Sequence, residues 1–256
     1  MEGTAETELA YAAGGKSYSG LLLKPGGRKP KAAVVLLPDW RGQSSLACDH
    51  AGFLVALGCV VAIADLYGDG FSPNNPDQVG PMVSRLIERR DEGVLALAAC
   101  LERLRREVPA GTPLLCLGYS VGGMVALDYG RGGADVAGII LCSALLKTAA
   151  EGMGTRIRPP VLILQGTQDQ VSPMETVAAV IAEMDGAGND VRFELYTQTH
   201  HAFDNPEAGT DPNARLVYSP ASARRAKATI ASFLAEVVEN HSVEPLSATG
   251  PGATPP

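Results

Sequence analysis

Five short stretches of this 256-residue chain are almost wholly apolar: Ala32 to Leu37, Cys59 to Ala64, Leu114 to Leu117, Val136 to Cys142 and Pro160 to Gln165. Runs this short, closed off by Gly, Pro or polar residues, read as strands buried on both faces. Between and after them lie segments with apolar residues at helical spacing: Ser45 to Leu57, Val79 to Val108, Val121 to Tyr129, Pro173 to Met184 and Pro220 to Glu239. Strand and helix in repeated alternation specify the α/β class, a mostly parallel central sheet with helices on both faces. Right-handed crossovers then gather the strand C-terminal ends at one rim, where such sheets bind ligands.

The remaining segments fit around that frame. Thr7 to Ala13 and Ser17 to Lys24 read as a hairpin turning at Gly14-Gly15-Lys16, and Val191 to Tyr196 as a further strand. Ala10 to Ser17 also satisfies a relaxed phosphate-loop pattern. No buried strand precedes it and no helix follows to aim amides at phosphates, so a hairpin turn is expected. The helical stretch 79–108 is read as two helices meeting near Arg90 to Gly93, its charged cluster most simply a solvated face, with one arginine able to line a pocket. Ser172 is placed to cap the helix that follows it, with Pro173 in the first position. Residues 198 to 219 read mostly as loop. From Asn240 to Pro256 the composition shifts to Ser, Pro, Ala, Thr and Gly, which predicts one domain over residues 1–239 and a disordered tail over 240–256.

A formal charge of −7, with no basic run, argues against nucleic acid as a partner. No apolar stretch approaches the roughly 20 residues that a membrane span requires, and the polar, acidic N-terminus does not read as a signal peptide. A cytoplasmic location is expected. The five cysteines are widely spaced with no C-x-x-C pair, which suggests core thiols rather than zinc or disulfides.

Chemistry enters at Gly118-Tyr-Ser-Val-Gly122, between the Leu114–Leu117 run and the helix that follows. A serine on a sharp strand–helix turn needs glycines two residues before and after it, where the chain crowds itself. Its hydroxyl then stands clear of the sheet, above a helix N-terminus that favours developing negative charge. The pattern alone is common in a chain with 29 glycines, so a base and an acid must accompany it. Asp169 lies just beyond the Pro160–Gln165 strand, where a carboxylate can reach an imidazole at the rim. Four histidines are available. His50 falls within a helix and His241 in the tail, which leaves His200 or His201 as the general base. Adjacent histidines point apart and no H-E-x-x-H motif occurs, so no metal is expected. The order Ser120, Asp169, His200/His201 is that of an α/β-hydrolase triad.

From about residue 7 to 239 the chain resembles the dienelactone hydrolase family of α/β-hydrolases. The resemblance is carried by Val34-Val-Leu-Leu-Pro-Asp-Trp-Arg-Gly42, Ala64-Asp-Leu-Tyr-Gly68, Gly118-Tyr-Ser-Val-Gly-Gly123, Gln165-Gly-Thr-Gln-Asp169 and His201-Ala-Phe-Asp-Asn-Pro206. It implies the α/β-hydrolase fold, His201 as the base, and an oxyanion hole from the backbone N–H groups of Val121 and Trp40. Asp39 is similar in place to a glutamate beside the nucleophile of the family's namesake; Tyr67, Tyr119 and Phe203 are expected with it around the substrate pocket. Two positions depart from the namesake. Ser120 replaces its cysteine, and Asn205 stands where it carries an arginine four residues after the histidine.

The expectation is a hydrolase of small carboxylic esters or lactones, working through a Ser-His-Asp acyl-enzyme with no metal or organic cofactor. A thioesterase or acyltransferase would use the same residues. A non-catalytic ligand-binding protein would be expected to have lost one of the three.

Overall fold

The computed structural model describes residues 5–27, 29–73 and 75–243. Eight strands form one sheet: β1 (Ala5–Ala13), β2 (Lys16–Lys24), β3 (Ala32–Leu37), β4 (Cys59–Ile63), β5 (Leu114–Tyr119), β6 (Gly138–Ala144), β7 (Val161–Gly166) and β8 (Val191–Tyr196). Their order is β1-β2-β4-β3-β5-β6-β7-β8. The β1–β2 pair is antiparallel, as is β2 against β4; every pairing from β4 through β8 is parallel. Gly14 and Gly15 close the first hairpin with φ of 57° and 77°, a left-handed turn that suits the twist of the two strands. The segment that mimicked a phosphate loop is therefore a hairpin turn.

The continuous apolar runs follow from burial on both faces. Along β3, Ala33, Val35 and Leu37 enter one core and Ala32, Val34 and Leu36 the other. The first face is covered by α3 (Arg90–Arg105), α4 (Ser120–Arg131) and α5 (Met174–Gly186), through Leu97, Leu101, Met124, Val125, Val177 and Val180. The second is covered by α1 (Ser45–Ala56) and α6 (Pro220–Val243), through Ala51, Leu54, Ile230 and Phe233. Each large side chain buried in this way contributes about 1.5–3 kcal/mol. A further helix, α2 (Pro76–Glu88), meets α3 around Arg89, as the pattern predicted.

Several boundaries differ from expectation: β6 is Gly138–Ala144 rather than Val136 to Cys142, β5 runs on to Tyr119, and α2 begins at Pro76 rather than Val79. The last helix runs on through Asn240 to Val243, four residues past its expected end at Glu239. Nothing in Asn240–Val243 breaks a helix, the first proline beyond being Pro245, and the Ser242 hydroxyl donates to the Val238 carbonyl. Residues 244–256 of the expected tail lie outside the described residues. Ser172 does not cap α5; Pro173 occupies the cap position. The buried Ser172 hydroxyl instead accepts from the Leu146 N–H (2.8 Å) and donates to the Ala144 carbonyl (2.9 Å). Satisfying two buried backbone groups at the end of β6 outweighs one helical cap. Gly130 lies inside α4, where a Cβ would meet Ile139 and Ile157, and the helix ends at Arg131 with Gly132 as its cap.

The loop after β6 is fixed from behind by ions. Arg131, fully buried in its side chain, donates to Asp128 (2.9 Å), to Glu183 (2.9 and 2.5 Å) and to the Lys147 carbonyl. Arg90 grips the same Asp128 through two donors. Removing the guanidinium strands Glu183 in a site that was built around it. Arg131→Leu is expected to cost about 3–5 kcal/mol of stability, read as a lower denaturation midpoint at unchanged slope.

Candidate active site

Every polar group of interest leaves the sheet at the same rim, from the C-terminal ends of β3 through β8. Ser120 follows β5 directly and has φ of +47°, a strained backbone for a residue with a side chain. The turn is possible because a Cβ at Gly122 would stand 2.4 Å from the Pro38 carbonyl oxygen, and one at Gly118 2.6 Å from the Gly123 Cα. Only glycine permits that approach of α4 to β3. The Ser120 carbonyl in turn accepts from the Leu145 N–H.

Three residues from three loops meet there. The Ser120 Oγ lies 3.0 Å from His201 Nε2, and His201 Nδ1 lies 2.7 Å from Asp169 Oδ2. The carboxylate beside Nδ1 assigns the proton to that nitrogen, leaving Nε2 to accept from the serine hydroxyl. Asp169 receives four donors. Its Oδ1 accepts from the N–H groups of Val171 (2.7 Å) and Ser172 (2.9 Å), and its Oδ2 from His201 and from Gln165 Nε2 (2.5 Å). Gln165 is itself locked, since its Oε1 accepts from the Ala144 N–H. On the His201 side, the Ser143 hydroxyl accepts from the Ala202 N–H at 2.8 Å, and the His201 carbonyl accepts from Val217. Both Asp169 and His201 are almost inaccessible, at 4% and 3% exposure, so these hydrogen bonds act away from competing water.

Ser120 and His201 open into a cavity of about 390 Å³. Its walls are mainly apolar and include Trp40, Val79, Val83, Leu145, Val171 and Leu216. Val121 and Trp40 line it as well. As the second residue of α4, Val121 carries an amide with no acceptor inside its helix.

The remaining expected pocket residues divide. Asp39 and Tyr119 line the cavity. Tyr67 and Phe203 do not. Phe203 is fully buried with its ring edge-on to Tyr196, because the residue after a left-handed Ala202 (φ 58°) is turned into the core. Tyr67 lies beside the cavity, and its hydroxyl donates to the Trp40 carbonyl at 2.6 Å. Asp39 is not a lone carboxylate: Arg41 binds it through its guanidinium and backbone N–H and also reaches Glu207. Asn205, in the place of the namesake's arginine, caps a short turn by accepting from Glu207 N–H.

Sequence reasoning missed Ser143, Gln165's locking role, Arg41 and a second histidine–aspartate contact. His50 is buried in α1, stacks on the Tyr119 ring (centroids 4.0 Å apart) and lies 3.3 Å from Asp204, which lines the cavity. Burial drives both groups toward their neutral forms, pushing His50 down to about 3 and Asp204 up to about 6. A carboxyl raised in the folded state stabilises it below the unfolded value of 3.8, and that stability is lost as pH rises through about 6. Asp204→Asn, fixed in the neutral form, is therefore expected to be more stable than the wild type at pH 8, by on the order of 3 kcal/mol. The gain should vanish near pH 4. Denaturation at the two pH values checks it.

The geometry agrees with comparison to known proteins. The family model for the dienelactone hydrolase family matches residues 18–238, and the chain belongs to that family of hydrolases. A solved structure described as m3DLH superposes with a TM-score of 0.85 at 29% identity, covering 91% of this chain and 98% of the other. A dienelactone hydrolase-like promiscuous phosphotriesterase from metagenomic libraries gives 0.84 at 23% identity, over 92% and 99%. A cold-adapted esterase from an Arctic intertidal metagenomic library gives 0.69 at 14% identity, over 92% and 95%. These last two show the shared fold. No curated protein matches the chain. Among the described residues, no helix is long and apolar enough to cross a membrane, and no group of three His, Cys, Asp or Glu is placed to hold a metal.

Proposed function

We propose that the protein hydrolyses small carboxylic esters or lactones through an acyl-enzyme on Ser120. The observation that carries this reading is the unbroken hydrogen-bonded line Ser120–His201–Asp169, opening into an apolar cavity. His201 Nε2 takes the hydroxyl proton as Ser120 Oγ attacks the substrate carbonyl. The imidazolium that forms is stabilised by Asp169, which also holds the ring in the required tautomer. The tetrahedral oxyanion is received by the backbone N–H groups of Val121 and Trp40, each such donor being worth about 3 kcal/mol. His201 then protonates the departing alkoxide, and a water deprotonated by His201 cleaves the acyl-enzyme to release the acid. Ser120 suits this scheme because a serine hydroxyl relies on a neighbouring base, whereas a thiol can act as its own thiolate.

The apolar walls favour a short hydrocarbon acyl group with few charges. Five unpaired cysteines, four of them buried, suit a reducing compartment and support a cytoplasmic setting. Rapid-quench hydrolysis of p-nitrophenyl acetate should show a burst of p-nitrophenol equal to the enzyme concentration, with the acetyl group on Ser120. Folded protein inert toward a panel of small esters, lactones and thioesters would contradict the proposal.

A further inference from the structure

The Ala64-Asp-Leu-Tyr-Gly68 segment has no part in the scheme above, yet it is tightly built. Asp65 is 2% exposed and its carboxylate collects four backbone donors. Oδ1 accepts from Tyr67 (2.9 Å) and Gly68 (2.9 Å), and Oδ2 from Ser19 (3.1 Å) and Gly70 (2.8 Å). The Asp65 N–H donates to the Tyr11 hydroxyl at 3.0 Å. This loop is thus held to the β1–β2 hairpin at one end of the sheet. Its single reach toward the catalytic rim is the Tyr67 hydroxyl, 2.6 Å from the Trp40 carbonyl oxygen.

Trp40 sits in a tight turn after β3, closed by the Gly42 N–H on the Asp39 carbonyl (3.0 Å) and by the Arg41 N–H on the Asp39 side chain (2.9 Å). Both bonds lie within the turn itself. The Tyr67 bond is a long-range anchor on the turn's own backbone from the β4 side, and just beyond the turn the Gln43 N–H donates to the Ser72 hydroxyl (3.1 Å). Tyr67 lines a neighbouring crevice, whereas Trp40 lines the catalytic cavity. The phenol therefore fixes the Trp40–Arg41 peptide from the crevice side, one Cα away from the Asp39–Trp40 peptide that carries the Trp40 N–H and whose carbonyl is held by Gly42.

We propose that Tyr67, itself anchored through Asp65, is a positioning residue that orients the Trp40 backbone N–H as an oxyanion donor. The inference rests on the acyl-enzyme reading, because it assigns a support to that reading's oxyanion hole. Donors contribute to catalysis only when aimed at the place where charge develops, and a misaligned peptide loses most of its value in the transition state but little in substrate binding. Burial raises the phenol far above its ordinary value, so the hydroxyl remains a donor throughout the working pH range.

Tyr67→Phe removes this one bond and keeps the ring. It is expected to lower kcat by about tenfold, below the 10²–10³-fold typical of losing a donor outright, with KM within about twofold. Affinity for a trifluoromethyl ketone, which forms an oxyanion on the serine, should fall by the same factor, and affinity for the unreactive amide of the same acid should not. Incorporating 3-fluorotyrosine at position 67, which retains the hydroxyl, should restore both. An unchanged kcat in folded Tyr67→Phe, or a lowered kcat without parallel loss of ketone affinity, would overturn the assignment. Serine labelling by a fluorophosphonate in the wild type separates this failure from failure of the hydrolase reading itself.

Discussion

Ser120→Ala is expected to lower ester turnover by about 10⁵–10⁶-fold, with His201→Ala close to it and the double variant no worse than either. The near-identity follows from the geometry: at 3.0 Å the hydroxyl and Nε2 act as one unit, and neither reacts without the other. KM should change little, because the apolar walls that hold the substrate are untouched by either change. A residual rate above that of water is expected from the oxyanion donors and the cavity alone. Steady-state kinetics of the three variants checks this, and additive losses would show that serine and histidine do not share a step.

Asp169→Asn should reduce kcat by about 10⁴-fold while leaving the fold intact. Val171 and Ser172 donate to Oδ1, which fixes the amide oxygen on that side and turns its nitrogen toward His201. That nitrogen would then face two donors, His201 Nδ1–H and Gln165 Nε2. Gln165 cannot turn to receive it without giving up its bond from the Ala144 N–H. The imidazole is left to move its proton to Nε2, where it can no longer accept from Ser120. Nuclear magnetic resonance of the ring protons should register the change of tautomer, and kcat should fall with KM nearly constant.

The parallel sheet was legible because buried strands read as uninterrupted apolar runs, and β3, β4 and β7 stand within a residue or so of the expected bounds. Ser120 and Asp169 were legible because each follows such a run directly. The histidine was less so. Two adjacent candidates differ only in which way the backbone turns them, and the left-handed Ala202 that follows His201 is not visible in residue types. Features built by contacts far apart in sequence were hidden. Arg41 on Glu207, His50 on Asp204, and Ser143 beneath the His201 loop depend on which loops the sheet brings together. Phe203 was misjudged for the same reason, since an aromatic two residues beyond His201 can face either the cavity or the core. Ser172 shows that local propensity yields when a buried backbone group needs a partner elsewhere.

The most direct test is intact-mass spectrometry of the folded wild type after incubation with a fluorophosphonate, beside Ser120→Ala and His201→Ala. The account predicts one adduct per chain, mapped to Ser120, absent in Ser120→Ala and strongly slowed in His201→Ala. No adduct on the wild type, or an adduct that survives in Ser120→Ala, would contradict an activated serine at the centre of this site.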